Sequence, residues 1–227
     1  MPDNQLIAAL DHGYVRLVDH MGGDLSIVRA ARVSYDADWR ANDEGKDAKL
    51  IGYLMRNHHT SPFEAVTLTF EIKAPIFIFR QWHRHRTWSY NEVSARYTEL
   101  PEEFYVPRVI TTQSTSNKQM RTDAEAPNME LMRSYMRKSC TDAFNLYHAL
   151  LEQGCARELA RTVLPLATYS RMFATVDLHN LFHFLRLRLH PHAQMEIRVY
   201  AQAMLKLAQA VAPVATAEFE STLNHGS

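Results

Sequence analysis

The sequence predicts a single-domain α+β fold with some α/β character. Three observations point there. The chain has 227 residues, enough for one sizeable core. Three segments carry strand patterning. At least six others carry helical periodicity, and they are interleaved with the strands along the chain.

The strands are read from alternation and composition. "YVRLVDH" (14–20) alternates in part. "VTLTFEI" (66–72) alternates cleanly, with Val66, Leu68, Phe70 and Ile72 on one face. "TYSRMFATVDL" (168–178) is rich in aromatic and β-branched residues. The helices begin with "SIVRAARVSY", for which Ser26 is the expected N-cap. "KDAKLIGYLMRNH" aligns Leu50, Ile51, Leu54 and Met55 on one stripe. "APIFIFRQWHRH" is expected to be helical over 75–86, with Pro75 as its first residue. Met129 to Gln153 reads as a long amphipathic helix with Met132, Met136, Ala143, Leu146 and Leu150 inward, ended by Gly154. Asp177 caps a helix running to about Leu189. His192 to about Val211 is the final amphipathic helix, stopped or kinked at Pro213. The polar stretch 111–128, "TTQSTSNKQMRTDAEAPN", is the most loop-like segment and is expected to be mobile. The strand order is not readable.

Composition excludes several classes. Lys+Arg and Asp+Glu balance at 25 each, so no global field draws the chain to nucleic acid or to a membrane, and any anion site must be local. The two cysteines, Cys140 and Cys155, form no CxxC pair and no disulfide framework. The start, "MPDNQLIAALDHG", lacks the basic and apolar runs of a signal peptide, and no stretch reaches the ~20 apolar residues of a membrane span. A cytoplasmic protein is expected.

Chemistry concentrates in "WHRHRTWSYNEVSARY" (82–97). If the chain leaves its helix after Thr87, then Arg84, Arg86, Ser94 and Arg96 can converge on one anionic ligand, with Glu92 orienting an arginine or accepting from a sugar hydroxyl. Arginine suits phosphate because its planar fork makes two parallel bonds. A merely solvated charged face would not interleave Trp82, Trp88, Tyr90 and Tyr97 with its charges. "HTSPFEAV" (59–66) fits a capping box of Ser61, Pro62 and Glu64, either a plain helical turn or an anion-binding helix start. Arg188 follows Leu181, Phe184 and Leu185 on an apolar stripe, so its guanidinium needs either a carboxylate, such as Glu196, or a bound anion. His179 and His183 have metal-pair spacing but no HExxH context, and no metal is expected. GxSxG, GxGxxG and GxxxxGK[ST] are all absent. A nucleic-acid module that stacks bases on the basic-aromatic stretch is disfavoured by the zero net charge. A metal-dependent hydrolase would have to rest on the histidine pairs.

Arg84-His85-Arg86, seven residues, then Ser94 resembles the RHR-x7-S signature of the flavin-dependent thymidylate synthases. "HTSPFE", "APIFIFRQW", "RHRTWSYNEVSARY", "ARTVLP" and "FLRLRLHPHAQMEIR" resemble that family in the same order, from about Ser26 to about Val211. The resemblance implies a central, mostly antiparallel sheet packed by helices, with long C-terminal helices, assembled as a homotetramer with active sites at subunit interfaces. It implies methylation of dUMP to dTMP with methylenetetrahydrofolate as carbon donor, NADPH as reductant and FAD as hydride carrier, without an enzymatic cysteine nucleophile. By matching motif, Gln81, Trp82, His83, Arg84, Glu92, Val93, Ser94, Ala95, Arg96, Arg161 and Arg188 would bind dUMP, Arg188 being catalytic. His59, Ser61, Glu64, Arg84, His85, Arg86, Asn91, Glu92, Asp177, His179 and His183 would bind FAD. Asp177 and His179 stand where an Asn-x-Arg pair is common in the family, so this stretch departs from the pattern.

Overall fold

The computed structural model describes residues 6–36, 38–40 and 43–224. At its centre lies an antiparallel ladder. The strand Thr67–Pro75 (β3) pairs with the strand Tyr169–Asp177 (β7) from Thr67↔Asp177 to Pro75↔Tyr169. The predicted alternation of β3 is realised: Leu68, Phe70, Ile72 and Ala74 are fully buried on one face. They lie across from Val176, Ala174, Met172 and Ser170, all buried. Each large apolar side chain so buried contributes roughly 1.5–3 kcal/mol. The other face is polar, with the Thr69 and Thr175 hydroxyls 2.9 Å apart and Glu71 paired with Arg16 at 3.3 Å.

Three more strands complete the sheet: Leu6–Ala9 (β1), Gly13–Met21 (β2) and Ser89–Glu92 (β4). The order is β1-β2-β3-β7-β4, and every pairing is antiparallel. Helices Asp24–Val33 (α1), Glu44–Arg56 (α2), Ile76–Trp82 (α3), Leu178–Arg188 (α6), Met195–Gln209 (α7) and Pro213–Asn224 (α8) carry one apolar core together with the buried sheet face. Helices Met129–Glu152 (α4) and Arg157–Ala160 (α5) build a satellite cluster around Phe144, Tyr147 and Ala160.

Several expectations need correction. Helix α1 starts at Asp24. Ser26 lies inside its first turn, where the hydroxyl accepts from the Gly23 amide at 3.2 Å. The capping box at Ser61 does not form: Ser61–Ala65 is a 3-10 turn with Thr60 at its N-cap and no side-chain cap bond. Helix α3 ends at Trp82 rather than running to 86, and Pro75 is the last residue of β3. Trp82 is fully buried and stacks on Phe184, which fixes the chain direction and turns residues 83–88 away from the helix axis. In α4, Met132, Met136 and Leu146 are exposed, and Cys140, Phe144 and Tyr147 face inward instead. The C-terminal half of α4 packs on Phe104, α5 and the turn around Arg161–Val163, and these neighbours select a different stripe. Pro213 opens a further helix, α8, where its missing N–H removes no intrahelical bond. The Asp24 carboxylate accepts from the amides of Val214 and Ala215, both at 2.9 Å. The segment 111–128 contains the hairpin Thr111–Gln113 (β5) and Arg121–Glu125 (β6). Arg121 anchors this hairpin to Glu196 at the start of α7 by bonds of 3.1 and 3.3 Å.

Gly13 opens β2 in a place closed to any side chain. A Cβ there would stand 2.0 Å from the Tyr200 hydroxyl and 2.6 and 2.7 Å from the carbonyls of Ala9 and Lys73. Tyr200 donates to that same Lys73 carbonyl at 2.9 Å. Gly13→Ala is therefore expected to destabilise the fold by about 1–3 kcal/mol, the usual range for overpacking. A urea midpoint equal to that of the parent would contradict this packing.

Candidate active site

The ladder register sets two cavities at opposite ends of β7. Strand β4 runs beside it from Ser89↔Thr175 to Glu92↔Met172, and the Val93 amide donates to the Arg171 carbonyl at 2.8 Å. Beyond that bond the chain turns. The Tyr97 and Thr98 amides donate to the Ser94 carbonyl at 2.9 and 3.3 Å, and the Ser94 hydroxyl accepts from the Arg96 amide and Nε, both at 3.4 Å. Glu92, Val93, Ser94, Ala95 and Arg96 thereby face Arg161 and His83 across a cavity of about 620 Å³. Arg161 sits on the 3-10 turn that precedes β7. Its Nε donates to the Glu158 carbonyl at 3.4 Å. Arg96 and Arg161 are exposed and form no ion pair among the described residues. Arg96 Nη2 also donates to the Tyr97 hydroxyl at 3.4 Å, but neither guanidinium carries a counter-ion among the described residues, so both can bind an anion.

The second cavity, about 570 Å³, lies at the other end of β7, where the 3-10 turn before β3 meets α6 and α8. His59, His179 and His183 line it, over a floor that includes Leu54, Met55, Phe63, Phe182 and Phe219. Phe182 and Phe219 stack at 4.5 Å. An apolar aromatic floor with a polar histidine rim fits a flat heteroaromatic ring. Arg84 and Arg86 are exposed, with no ion pair among the described residues, but line neither cavity, so the expected convergence of both with Ser94 and Arg96 is not seen within one chain. Ser61, Glu64, Asn91 and Glu92 are also exposed. Asp177 is otherwise engaged. It caps α6 as expected, its two carboxylate oxygens accepting from the Asn180 amide at 2.9 Å and from Asn180 Nδ2 at 2.6 Å. Among the described residues no three His, Cys, Asp or Glu side chains converge as metal ligands.

Arg188 lines neither cavity. Half-buried at the end of α6, it donates from Nε to His85 Nε2 at 3.1 Å and from Nη2 to the Gln81 carbonyl at 3.3 Å. Glu196, the carboxylate considered as its partner, bonds Arg121 and Tyr105 instead. Among the described residues Arg188 has no ion pair. Its pKa is lowered by burial. The Gln81 side chain reaches Gln194 at 2.5 Å. Trp82 stays in the core, where it can bear on a ligand only through its neighbours.

Sequence reasoning missed Arg80, Thr162 and Ser170 in the first cavity, and His58, Arg186 and Thr222 in the second. Arg80 lies in the last turn of α3, which ends before Arg84, and no sequence signal set it apart. Thr222 belongs to α8, which no sequence signal announced beyond Pro213.

Residues 16–214 match the family described as thymidylate synthase complementing protein. The chain belongs to this family. It is similar to a flavin-dependent thymidylate synthase of Thermus thermophilus, 52% identical over 221 residues that cover 97% of this chain and 80% of the relative. It is also similar to the flavin-dependent thymidylate synthase of Treponema pallidum (strain Nichols), 50% identical over 218 residues, 94% of this chain and 71% of that one. Among solved structures, the UMP/dUMP methylase PolB from Streptomyces cacaoi bound with 5-Br dUMP superposes with a TM-score of 0.85 at 39% identity, covering 95% of this chain and 97% of that chain. The family that the motifs resemble is thus the family of the chain, and its antiparallel α+β fold is shared with PolB.

Burial, then the charges of Arg188 and His183, lower the pKa of His85 from 6.5 to about 4. The unfolded chain takes up this proton as pH falls through 6.5, the folded chain only near 4. Between those values the unfolded state binds more protons, so stability rises with pH. The urea midpoint is expected to fall on acidification across this window, and to fall less steeply in His85→Gln. Parallel slopes would mean that His85 titrates alike in both states.

Proposed function

We propose that this protein is a flavin-dependent thymidylate synthase that methylates dUMP to dTMP, with methylenetetrahydrofolate as carbon donor and NADPH as reductant. The observation that carries the reading is the gathering of Ser94, Arg96 and Arg161 around one cavity in a chain of balanced charge. Two guanidiniums without a counter-ion among the described residues, beside a hydroxyl just past a strand exit, suit a nucleotide phosphate. Val93 and Ala95 shape the cavity wall, and Glu92 and His83 offer an acceptor and a ring edge to the sugar and base. Gln81 and Arg84 belong to the same turn of chain.

In the overall change, the uracil C5 hydrogen leaves as a proton, the folate methylene takes its place, and a hydride completes the methyl group, leaving tetrahydrofolate. FAD, when bound, would take a hydride from NADPH and in its reduced form pass it on. His59, His179 and His183 would hold its ring systems, with Arg84 and Arg86 at its phosphates. Ser61, Glu64, Asn91, Glu92 and Asp177 are remaining positions the family motif assigns to it; the motif also assigns His85, but that ring is turned to Arg188. Arg188 stabilises negative charge on the uracil as the ring is polarised, from a half-buried position where that interaction is strong. No cysteine attacks the ring: neither Cys140 nor Cys155 lines the first cavity, and burial raises the Cys140 pKa.

We assign a homotetramer in which Arg188 of one chain completes the cavity of another. The separation of Arg188 from that cavity within one chain supports this, as does the exposed apolar stripe of α4, where Tyr135 is 63% and Leu131 49% exposed. The two free thiols and the lack, among the described residues, of any helix long and apolar enough to cross a membrane accord with a cytoplasmic location.

Anaerobic turnover of dUMP with methylenetetrahydrofolate and NADPH, with and without added FAD, tests the reading. FAD-dependent dTMP is expected. Flavin binding with NADPH oxidation but no dTMP would refute it. Arg188→Lys keeps the charge but loses the fork. Its dTMP formation is expected to fall by about 10²-fold or more with the fold intact. Near-native turnover would remove Arg188 from the chemistry.

A further inference from the structure

We propose that His85 is a positioning residue for Arg188: its ring serves as a hydrogen-bond acceptor that fixes the plane of the guanidinium and leaves the Nη1 edge free for the uracil. This deepens the functional reading and rests on its assignment of Arg188.

The geometry comes from three elements. The ring of His85 is only 8% exposed and packs edge-on against Phe184 of α6, with ring centroids 4.9 Å apart. Its main chain is held independently: the Tyr90 hydroxyl of β4 donates to the His85 carbonyl at 2.8 Å and to the Trp82 carbonyl at 3.1 Å. The ring can therefore neither swing to solvent nor slide along the turn. Arg188 then places Nε 3.1 Å from His85 Nε2 and Nη2 3.3 Å from the Gln81 carbonyl. Two acceptors on adjacent sides of a planar fork define its orientation. Neither bond involves Nη1, whose N–H groups remain free.

Acceptance at Nε2 requires an imidazole with its proton on Nδ1. A protonated ring would set two like charges face to face and would have no lone pair to offer. The titratable groups that face the ring are Arg188 and His183, both from α6; the Tyr90 hydroxyl from β4 meets the His85 carbonyl instead. No carboxylate among the described residues pairs with His85 to favour its charged form. The same neutrality leaves the whole positive charge of the cluster on the guanidinium, where an anionic uracil would meet it. A carboxylate in place of His85 would hold Arg188 equally well but would neutralise it.

The test compares full-length wild type, His85→Phe and His85→Gln for kcat, KM for dUMP, flavin content and thermal midpoint. Phenylalanine keeps the packing on Phe184 but accepts no bond, while glutamine offers a carbonyl acceptor. His85→Phe is expected to retain flavin and a KM for dUMP near that of wild type while kcat falls by about 10²-fold, the size of effect a misplaced catalytic group produces. His85→Gln is expected to recover most of the loss. Unchanged kcat in His85→Phe, in a wild type that methylates dUMP, would overturn this inference alone. Loss of flavin in His85→Phe, with rates restored by excess FAD, would make His85 a cofactor contact and also overturn it. An inactive wild type would remove the functional reading and the inference with it.

Discussion

The antiparallel pairing of β3 with β7 is the constraint on which the rest depends. Because Thr67 stands opposite Asp177 and Pro75 opposite Tyr169, whatever precedes β3 is brought beside whatever follows β7, and the reverse holds at the other end. One end joins the turn Ser61–Ala65 to α6, and the histidine-rimmed cavity forms between them. The other end joins the exit of β4 to the 3-10 turn carrying Arg161, and the arginine-lined cavity forms there. A slip of one residue would move Leu68, Phe70 and Ile72 to the polar face, so the core fixes the register and the register fixes both sites.

Helix α6 links the two ends. Asp177 caps its start, and its buried face, Leu181, Phe184 and Leu185, lies on the core. Its last residue, Arg188, thereby reaches back to His85 and Gln81. Acidic and basic buried groups are satisfied differently. Glu196 receives a guanidinium and a tyrosine hydroxyl. Arg188 receives only neutral acceptors. A half-buried guanidinium left without a counter-ion among the described residues is chemically suited to an anion or a developing negative charge.

What the sequence made legible follows the reach of its signals. The clean alternation of β3, the Asp177 cap and the Gly154 stop are local, and each stands where the pattern put it. The stripe of α4 was misread because both candidate faces are apolar, and only the tertiary neighbours, Phe104, Ala160 and the turn at Arg161–Val163, select Phe144 and Tyr147. Trp82 ended α3 early through a packing contact with Phe184, a residue far away in sequence, which no local propensity carries. Ser94 and Arg96 were grouped from the local pattern, but Arg161 joined them only through a motif resemblance, because its approach depends on strand pairing between segments far apart. Arg188 was legible from its apolar stripe alone. Its partner was not: the sequence offered Glu196 or a bound anion, and the fold sends Glu196 to Arg121 and sets His85 beside Arg188.

The central claim is that two half-sites, Ser94 with Arg96 and Arg161 on one chain and Arg188 on another, make one catalytic centre. Subunit mixing tests it most directly. Two inactive chains, Ser94→Ala with Arg161→Ala and Arg188→Ala, are unfolded, mixed and reassembled, and dTMP formation is measured. The account predicts that activity returns, to about a quarter of the wild-type level for random assortment of chains in a closed symmetric assembly. Reassembled mixtures that stay inactive would place both half-sites on the same chain and contradict it.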